Sequence, residues 1–244
     1  MMTVSSIRME KYKMRTQKIT IEHKIPGIVY GEISEWVYLY IHGKMGCKEE
    51  ALSFAMQAEQ AGYQVMAIDL PEHGERKGSA GKLLPWVAIP EIQAAYTYAS
   101  RRWKHISLYA VSIGGWLSME ALQEMPLEHA LLVSPIVDME ELIGNMIQWA
   151  NVTEPQLKEA GEIPTEFGET LSWQYLCWVR EHPFEWHIPT EVLYGDKDHL
   201  TPYHTIEKFR QRSGAHLTIM EEGEHWFHTE LQLVVLREWE RNDL

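Results

Sequence analysis

The run Leu108-Tyr109-Ala110-Val111-Ser112-Ile113-Gly114-Gly115 constrains the fold most, because an apolar strand passes without a linker into a serine held between small residues. Ala110 and Gly114 stand two residues before and after Ser112, where a sharp strand-to-helix turn has room only for small side chains. Such a turn lifts the hydroxyl clear of the sheet at the C-terminal end of a strand, and the segment reads as a nucleophile elbow. Alanine replaces the usual first glycine. On its own, the five-residue pattern also fits a plain strand followed by a glycine-containing helix start, so the rest of the chain has to decide.

From Gln17 onward the chain falls into short β-type runs separated by helical patterns, the signature of an α/β domain with a mostly parallel sheet flanked by helices. The pattern predicts strands at Lys18–Glu22, Gly27–Gly31, Trp36–Ile41, Gln64–Ile68, His105–Ala110, Ala130–Val133, Thr190–Tyr194 and His216–Met220. The first two are expected to pair as an antiparallel hairpin around Ile25-Pro26-Gly27. Helices are predicted at Lys48–Ala61, Ala88–Arg102, Ile113–Glu124, Thr205–Ser213 and His228–Arg241. Between Pro135 and Pro189 the alternation breaks. Helical patterns at Glu140–Ala150 and Thr170–Glu181, separated by Pro155, Gly161, Pro164 and Gly168, mark an insertion rather than a strand-helix unit. The expected organisation is one core made of residues 1–136 and 188–244, with a small helical cap, residues 137–187, inserted after the sixth strand.

At 244 residues and 45% hydrophobic content the chain can bury one large core. Its formal net charge of −13 repels phosphate backbones, and no basic run interleaved with aromatics offsets this, which argues against nucleic acid as a partner. The two cysteines, Cys47 and Cys177, lack metal-ligand spacing and form no disulfide framework, which suits a reducing cytoplasm. Charged residues interrupt Met1 to Lys18, so no signal peptide is expected there, and no stretch reaches the ~18–20 uncharged apolar residues of a membrane span. Nothing in the sequence calls for a metal or other cofactor, and it is silent on oligomeric state.

A serine becomes a good nucleophile when an imidazole takes its proton and a carboxylate fixes that imidazole's tautomer. After the strand ending at Tyr194 comes Gly195-Asp196-Lys197-Asp198, two carboxylates at the C-terminal end of a strand, where open α/β sheets build their sites. Asp198, at the loop tip, is the better orienting acid. Asp196, nearer the strand end, is placed to bond turn amides, and the plain alternative for the pair is an acidic turn. His225 lies in the loop after the last strand and is the candidate base, whereas His228 starts the final helix. The order Ser112, Asp198, His225 is the nucleophile, acid, base order of this topology. An oxyanion would need backbone donors, for which Ile113 N–H and, in Ile41-His42-Gly43-Lys44-Met45-Gly46, Lys44 N–H are the candidates. His42 is expected to order its loop.

With these motifs the chain resembles the α/β-hydrolase superfamily, in particular its small single-chain esterase and serine-peptidase-like branches, over nearly its whole length. The resemblance rests on His42-Gly43, on Ile68-Asp69-Leu70-Pro71-Glu72-His73-Gly74, on the Ser112 elbow, on Gly195 through Pro202, and on His225. It implies Ser112 as nucleophile, His225 as general base and acid, Asp198 as orienting acid, the N–H groups of Lys44 and Ile113 as oxyanion hole, and structural roles for Asp69 and His73. The chain departs from the family pattern in Ala110 and in a charged residue at Lys44, and neither change removes a catalytic atom.

The expected function is hydrolysis of a small or medium-sized carboxylic ester through an acyl-enzyme. Thioester and short peptide or amide cleavage use the same constellation, and a non-catalytic ligand-binding module on the same fold is the reading from another class. The Lys44 side chain could favour substrates with a remote anionic group, or simply be solvated. Four of the ten tryptophans fall in the insertion, and Trp149, Trp173 and Trp178 are candidates for lining a substrate pocket or for holding the cap down.

Overall fold

The computed structural model describes residues 14–78 and 82–244. The expectation about residues 1–13 therefore lies outside the described residues. Eight strands form one sheet: β1 Thr16–Ile21, β2 Ile25–Tyr30, β3 Trp36–Ile41, β4 Gln64–Ile68, β5 His105–Val111, β6 Ala130–Val133, β9 Thr190–Gly195 and β10 His216–Met220. Their spatial order is β1-β2-β4-β3-β5-β6-β9-β10, and only β2 runs against the others. The hairpin joining β1 to β2 turns at Glu22-His23-Lys24, with positive φ at Glu22 and His23, and not at Ile25-Pro26-Gly27 as the sequence suggested. Pro26 is accommodated inside β2, and its carbonyl accepts the Asp69 N–H at 2.9 Å.

Side chains alternate along each strand and so feed two cores. Val37, Leu39 and Ile41 of β3 join Leu108 and Ala110 of β5 beneath α2 Pro85–Ser100 and α3 Ile113–Leu122. On the other face Tyr38, Tyr40 and Tyr109 pack against α1 Ala51–Ala58 and α8 Glu230–Asn242 through Phe54 and Trp239. Both faces of β3 and β5 are therefore buried, each fully covered aliphatic side chain contributing about 1.5–3 kcal/mol. This fixes the strand whose end carries Ser112.

Between β6 and β9 the chain forms α4 Met139–Trp149, α5 Glu154–Ala160, a two-stranded ribbon of β7 Glu162–Pro164 and β8 Thr170–Ser172, and α6 Trp173–Glu181. Two helices were expected here. The third, α5, begins with a Thr153–Gln156 capping box and tolerates Pro155 because its missing N–H falls in the first turn, where no intrahelical acceptor exists. Arg180 on α6 bonds Glu140 of α4 and Glu154 of α5, both at 2.7 Å, and draws the three helices together. α7 Tyr203–Ser213 follows β9 and is tied to α4 by Thr205 Oγ1 donating to Glu141 at 2.8 Å. No helix of the described residues is long and apolar enough to cross a membrane.

Candidate active site

Ser112 occupies the junction of β5 and α3 with φ 53° and ψ −123°, a backbone state that L side chains rarely adopt. The turn is over-determined by its surroundings. Ser112 N–H donates to Val133 O at 3.0 Å, and Ser112 O accepts from Gly115 and Ile136 N–H. A Cβ on Gly114 would fall 2.4 Å from His42 O, so this position needs glycine to let α3 approach the end of β3. The alanine two residues before the serine is fully buried.

Three elements distant in sequence meet here. Ser112 Oγ lies 2.7 Å from His225 Nε2, and His225 Nδ1 lies 2.7 Å from Asp198 Oδ2. With Nδ1–H donating to the carboxylate, Nε2 is left to accept the serine proton. Asp198 Oδ1 accepts the N–H groups of Leu200 at 2.8 Å and Thr201 at 3.0 Å, so both carboxylate oxygens are held. The Asp198 side chain is fully buried and that of His225 nearly so. Asp196 instead stands at the surface beside Lys197. The two loops are brought together by glycines: the Gly195 and Gly223 backbones are in direct contact, and Lys197 N–H donates to Gly223 O at 2.8 Å.

Across from the serine, Gly43 packs so closely that a Cβ would sit 3.3 Å from that of Ser112. The Gly43–Gly46 turn is fixed by two buried imidazoles. His42 Nδ1–H donates to Gly43 O at 2.7 Å, and its Nε2 accepts Leu70 N–H at 3.1 Å. Burial pulls this imidazole down to about 4, so it is neutral at pH 7 and orders its loop without charge. His73 accepts Met45 N–H at 2.9 Å and donates to Pro71 O. The neighbouring Lys44 N–H and the Ile113 N–H at the start of α3 have no acceptor among the described residues. Two donors close to one nucleophile, one of them at a helix N-terminus, can stabilise a developing oxyanion.

Asp69 anchors this side of the site from below. It accepts Lys48 N–H at 2.9 Å, Lys48 Nζ at 2.7 Å and Glu75 N–H at 3.0 Å. Burial alone would raise its carboxyl, but these bonds outweigh it and hold it below the usual range. Burial would likewise lower the Lys48 ammonium, which its carboxylate partners hold above its ordinary value. Gly74, at φ +52°, lies so close to Asp69 that a Cβ would meet the carboxylate at 2.1 Å.

The three insertion tryptophans are placed differently from one another. Trp178 contacts Trp116 of α3 edge-on at 6.0 Å and stacks on His182 at 4.1 Å, docking α6 on the core. Trp173 lies under the Lys158 ammonium at 5.6 Å. Trp149 is half exposed and meets Phe167, at the ribbon tip, edge-on at 6.2 Å. The ribbon tip also reaches the Gly43–Gly46 turn, because Glu169 pairs with the Lys44 ammonium. That contact joins residues far apart in sequence, and no local pattern could have disclosed it. The Thr153 capping box, by contrast, is legible in the sequence.

No protein-family model matches the chain, and no curated protein matches it in sequence. Solved structures do match it. Est1E from Butyrivibrio proteoclasticus, solved with ferulic acid bound, superposes with a TM-score of 0.70 at 19% identity, covering 93% of this chain and 97% of its own. The mouse alpha/beta hydrolase domain-containing protein 10 gives 0.69 at 14% identity, covering 92% of this chain and 96% of its own. The Pyrococcus furiosus esterase Pf2001 gives 0.67 at 17% identity, over 95% of this chain and 89% of its own.

Proposed function

Because the chain has the α/β-hydrolase fold, which these structures share with it, we propose that it is a serine hydrolase cleaving a carboxylic ester of a small or medium-sized substrate. The observation that carries this reading is the hydrogen-bonded series Ser112–His225–Asp198 on a strained turn. Ser112 Oγ attacks the ester carbonyl carbon while His225 Nε2 takes its proton. The oxyanion accepts from Lys44 and Ile113 N–H, and the resulting imidazolium is held by Asp198. His225 then gives the proton to the departing alkoxide oxygen, leaving the acyl group on Ser112. A water molecule, deprotonated by His225, attacks the acyl carbon and releases the acid, and the proton returns to Ser112.

The insertion serves as a cap whose ribbon borders the oxyanion loop, a role supported by the Lys44–Glu169 pair. Exposed Trp149 and Phe167 in that cap favour an aromatic or extended apolar acyl group, and the ferulic acid bound to Est1E makes hydroxycinnamate esters a natural test set. Unpaired Cys47 and Cys177 suit a reducing cytoplasm. Turnover of p-nitrophenyl esters of increasing acyl length and of a methyl hydroxycinnamate tests the reading. Loss of order ~10⁴ to 10⁶ in kcat is expected in Ser112→Ala and in His225→Ala. Wild-type rates in purified Ser112→Ala would overturn it.

A further inference from the structure

Lys44 contributes to the site through two groups. Its backbone N–H is a donor for the oxyanion in the reading above, while its ammonium is paired with Glu169 from the ribbon between β7 and β8. Glu169 is offered from a fixed backbone. Thr165 N–H donates to Glu169 O at 2.8 Å, Glu169 N–H donates to Thr165 Oγ1 at 3.2 Å, and Gly168 N–H donates to Thr165 O at 3.2 Å, closing a tight turn. Exposed apolar groups flank the pair, Met45, 83% exposed, following Lys44, and Phe167 and Trp149 meeting at the ribbon tip, where Glu166 is the exposed charged residue. The ion pair is thus a neutralised point beside exposed apolar side chains, on the loop that packs against Ser112.

We infer that Glu169 is a specificity-determining residue of the proposed ester hydrolysis: by neutralising Lys44 it makes the site select uncharged esters over esters carrying a remote carboxylate. The inference rests on the hydrolase reading. An unpaired Lys44 would attract an anionic acyl group into a molecule whose net charge of −13 otherwise repels it. With Glu169 in place, such a substrate must compete with a carboxylate already held on Lys44. Both side chains keep contact with solvent, 47% exposed for Lys44 and 35% for Glu169, so the selection is moderate and screened by salt.

The test compares kcat/KM for p-nitrophenyl butyrate with that for mono-p-nitrophenyl glutarate, which adds a terminal carboxylate. Wild type, Glu169→Gln, Lys44→Met and the double variant are assayed at low ionic strength. Glu169→Gln is expected to raise the anionic-to-neutral ratio roughly two- to fivefold, the size of a partly exposed charge pair. The gain should shrink at about 0.5 M salt and be absent when Glu169→Gln is placed on Lys44→Met. An unchanged ratio, an equal fall for both esters as from loss of a merely structural tie, or a gain that persists without Lys44 would overturn the inference. Titration of each variant with a neutral fluorophosphonate reports on Ser112 separately. Wild type that neither reacts with it nor turns over either ester removes the hydrolase reading and this inference together, whereas normal labelling with an unchanged ratio removes only the latter.

Discussion

Replacement of Gly195 by alanine should disable the site without touching any group that reacts. The added Cβ would stand 2.2 Å from Gly223 O, 2.5 Å from Gly223 C and 2.8 Å from Glu224 O. All three atoms are backbone, and Glu224 immediately precedes His225, so no side-chain rotation relieves the overlap. The seam between β9 and the loop after β10 must open by about 1 Å, a misplacement that costs roughly 10²-fold in rate when imposed on catalytic groups. Opening it also stretches Lys197 N–H to Gly223 O, now 2.8 Å, and Asp196 N–H to Met220 O, now 3.1 Å. Together with overpacking, the loss in stability should be about 2–4 kcal/mol. For a chain of this length that is a fall in Tm of roughly 4–16 °C. Gly144, in the interior of α4 with no atom within 4 Å of its would-be Cβ, provides the control. Gly144→Ala should raise stability by about 0.5–1 kcal/mol and leave kcat unchanged. Ester turnover below the melting transition and thermal melts of both variants make the comparison. Gly195→Ala with kcat within about threefold of wild type and an unshifted Tm would refute the argument that this contact sets the Asp198–His225 geometry.

Asp198→Asn should lower kcat by about 10⁴, because the amide keeps the bonds to Leu200 and Thr201 N–H but presents a donor to His225 Nδ1; Asp196→Asn should leave it nearly unchanged, and the reverse ranking in ester assays would exchange their roles. Burial pushes the Glu240 carboxyl up to about 7 against the pull of Tyr109 and Gln57, so the stabilisation it gives as a neutral acid is complete below its unfolded value near 4.5 and is lost as pH rises through about 7. Glu240→Gln should therefore gain stability over wild type at pH 8, by up to about 3 kcal/mol, and little at pH 4.5. Its amide could also donate to Gln57 Oε1, which is buried without a partner among the described residues, and urea titrations at the two pH values that showed Glu240→Gln weaker at pH 8 would refute this.

The legible parts of the molecule are those fixed by local periodicity and by rigid spacing. All the strands of the main sheet announce themselves as apolar or β-branched runs bounded by turn residues, and their ends carry Ser112, Asp198 and His225 in order along the chain. Proline and glycine misled the reading where tertiary context overrode their usual role. Pro26 and Gly27 suggested a turn, yet Pro26 fits in β2 and the turn falls on Glu22-His23-Lys24. Pro155 and Gly161 suggested a loop, yet they bracket α5, one in its first turn and the other at its C-cap with φ 76°. The Lys44 ammonium was open to solvent or substrate as far as sequence could say, because its partner Glu169 lies on a ribbon of three-residue strands too short to leave a periodic signal.

In the proposed mechanism Ser112 is a nucleophile activated by His225. Treatment with a fluorophosphonate followed by peptide mass spectrometry tests it most directly. One adduct is expected, on Ser112, absent in Ser112→Ala and formed far more slowly in His225→Ala; an adduct on another residue, or ester hydrolysis that proceeds while Ser112 stays unmodified, would contradict this mechanism.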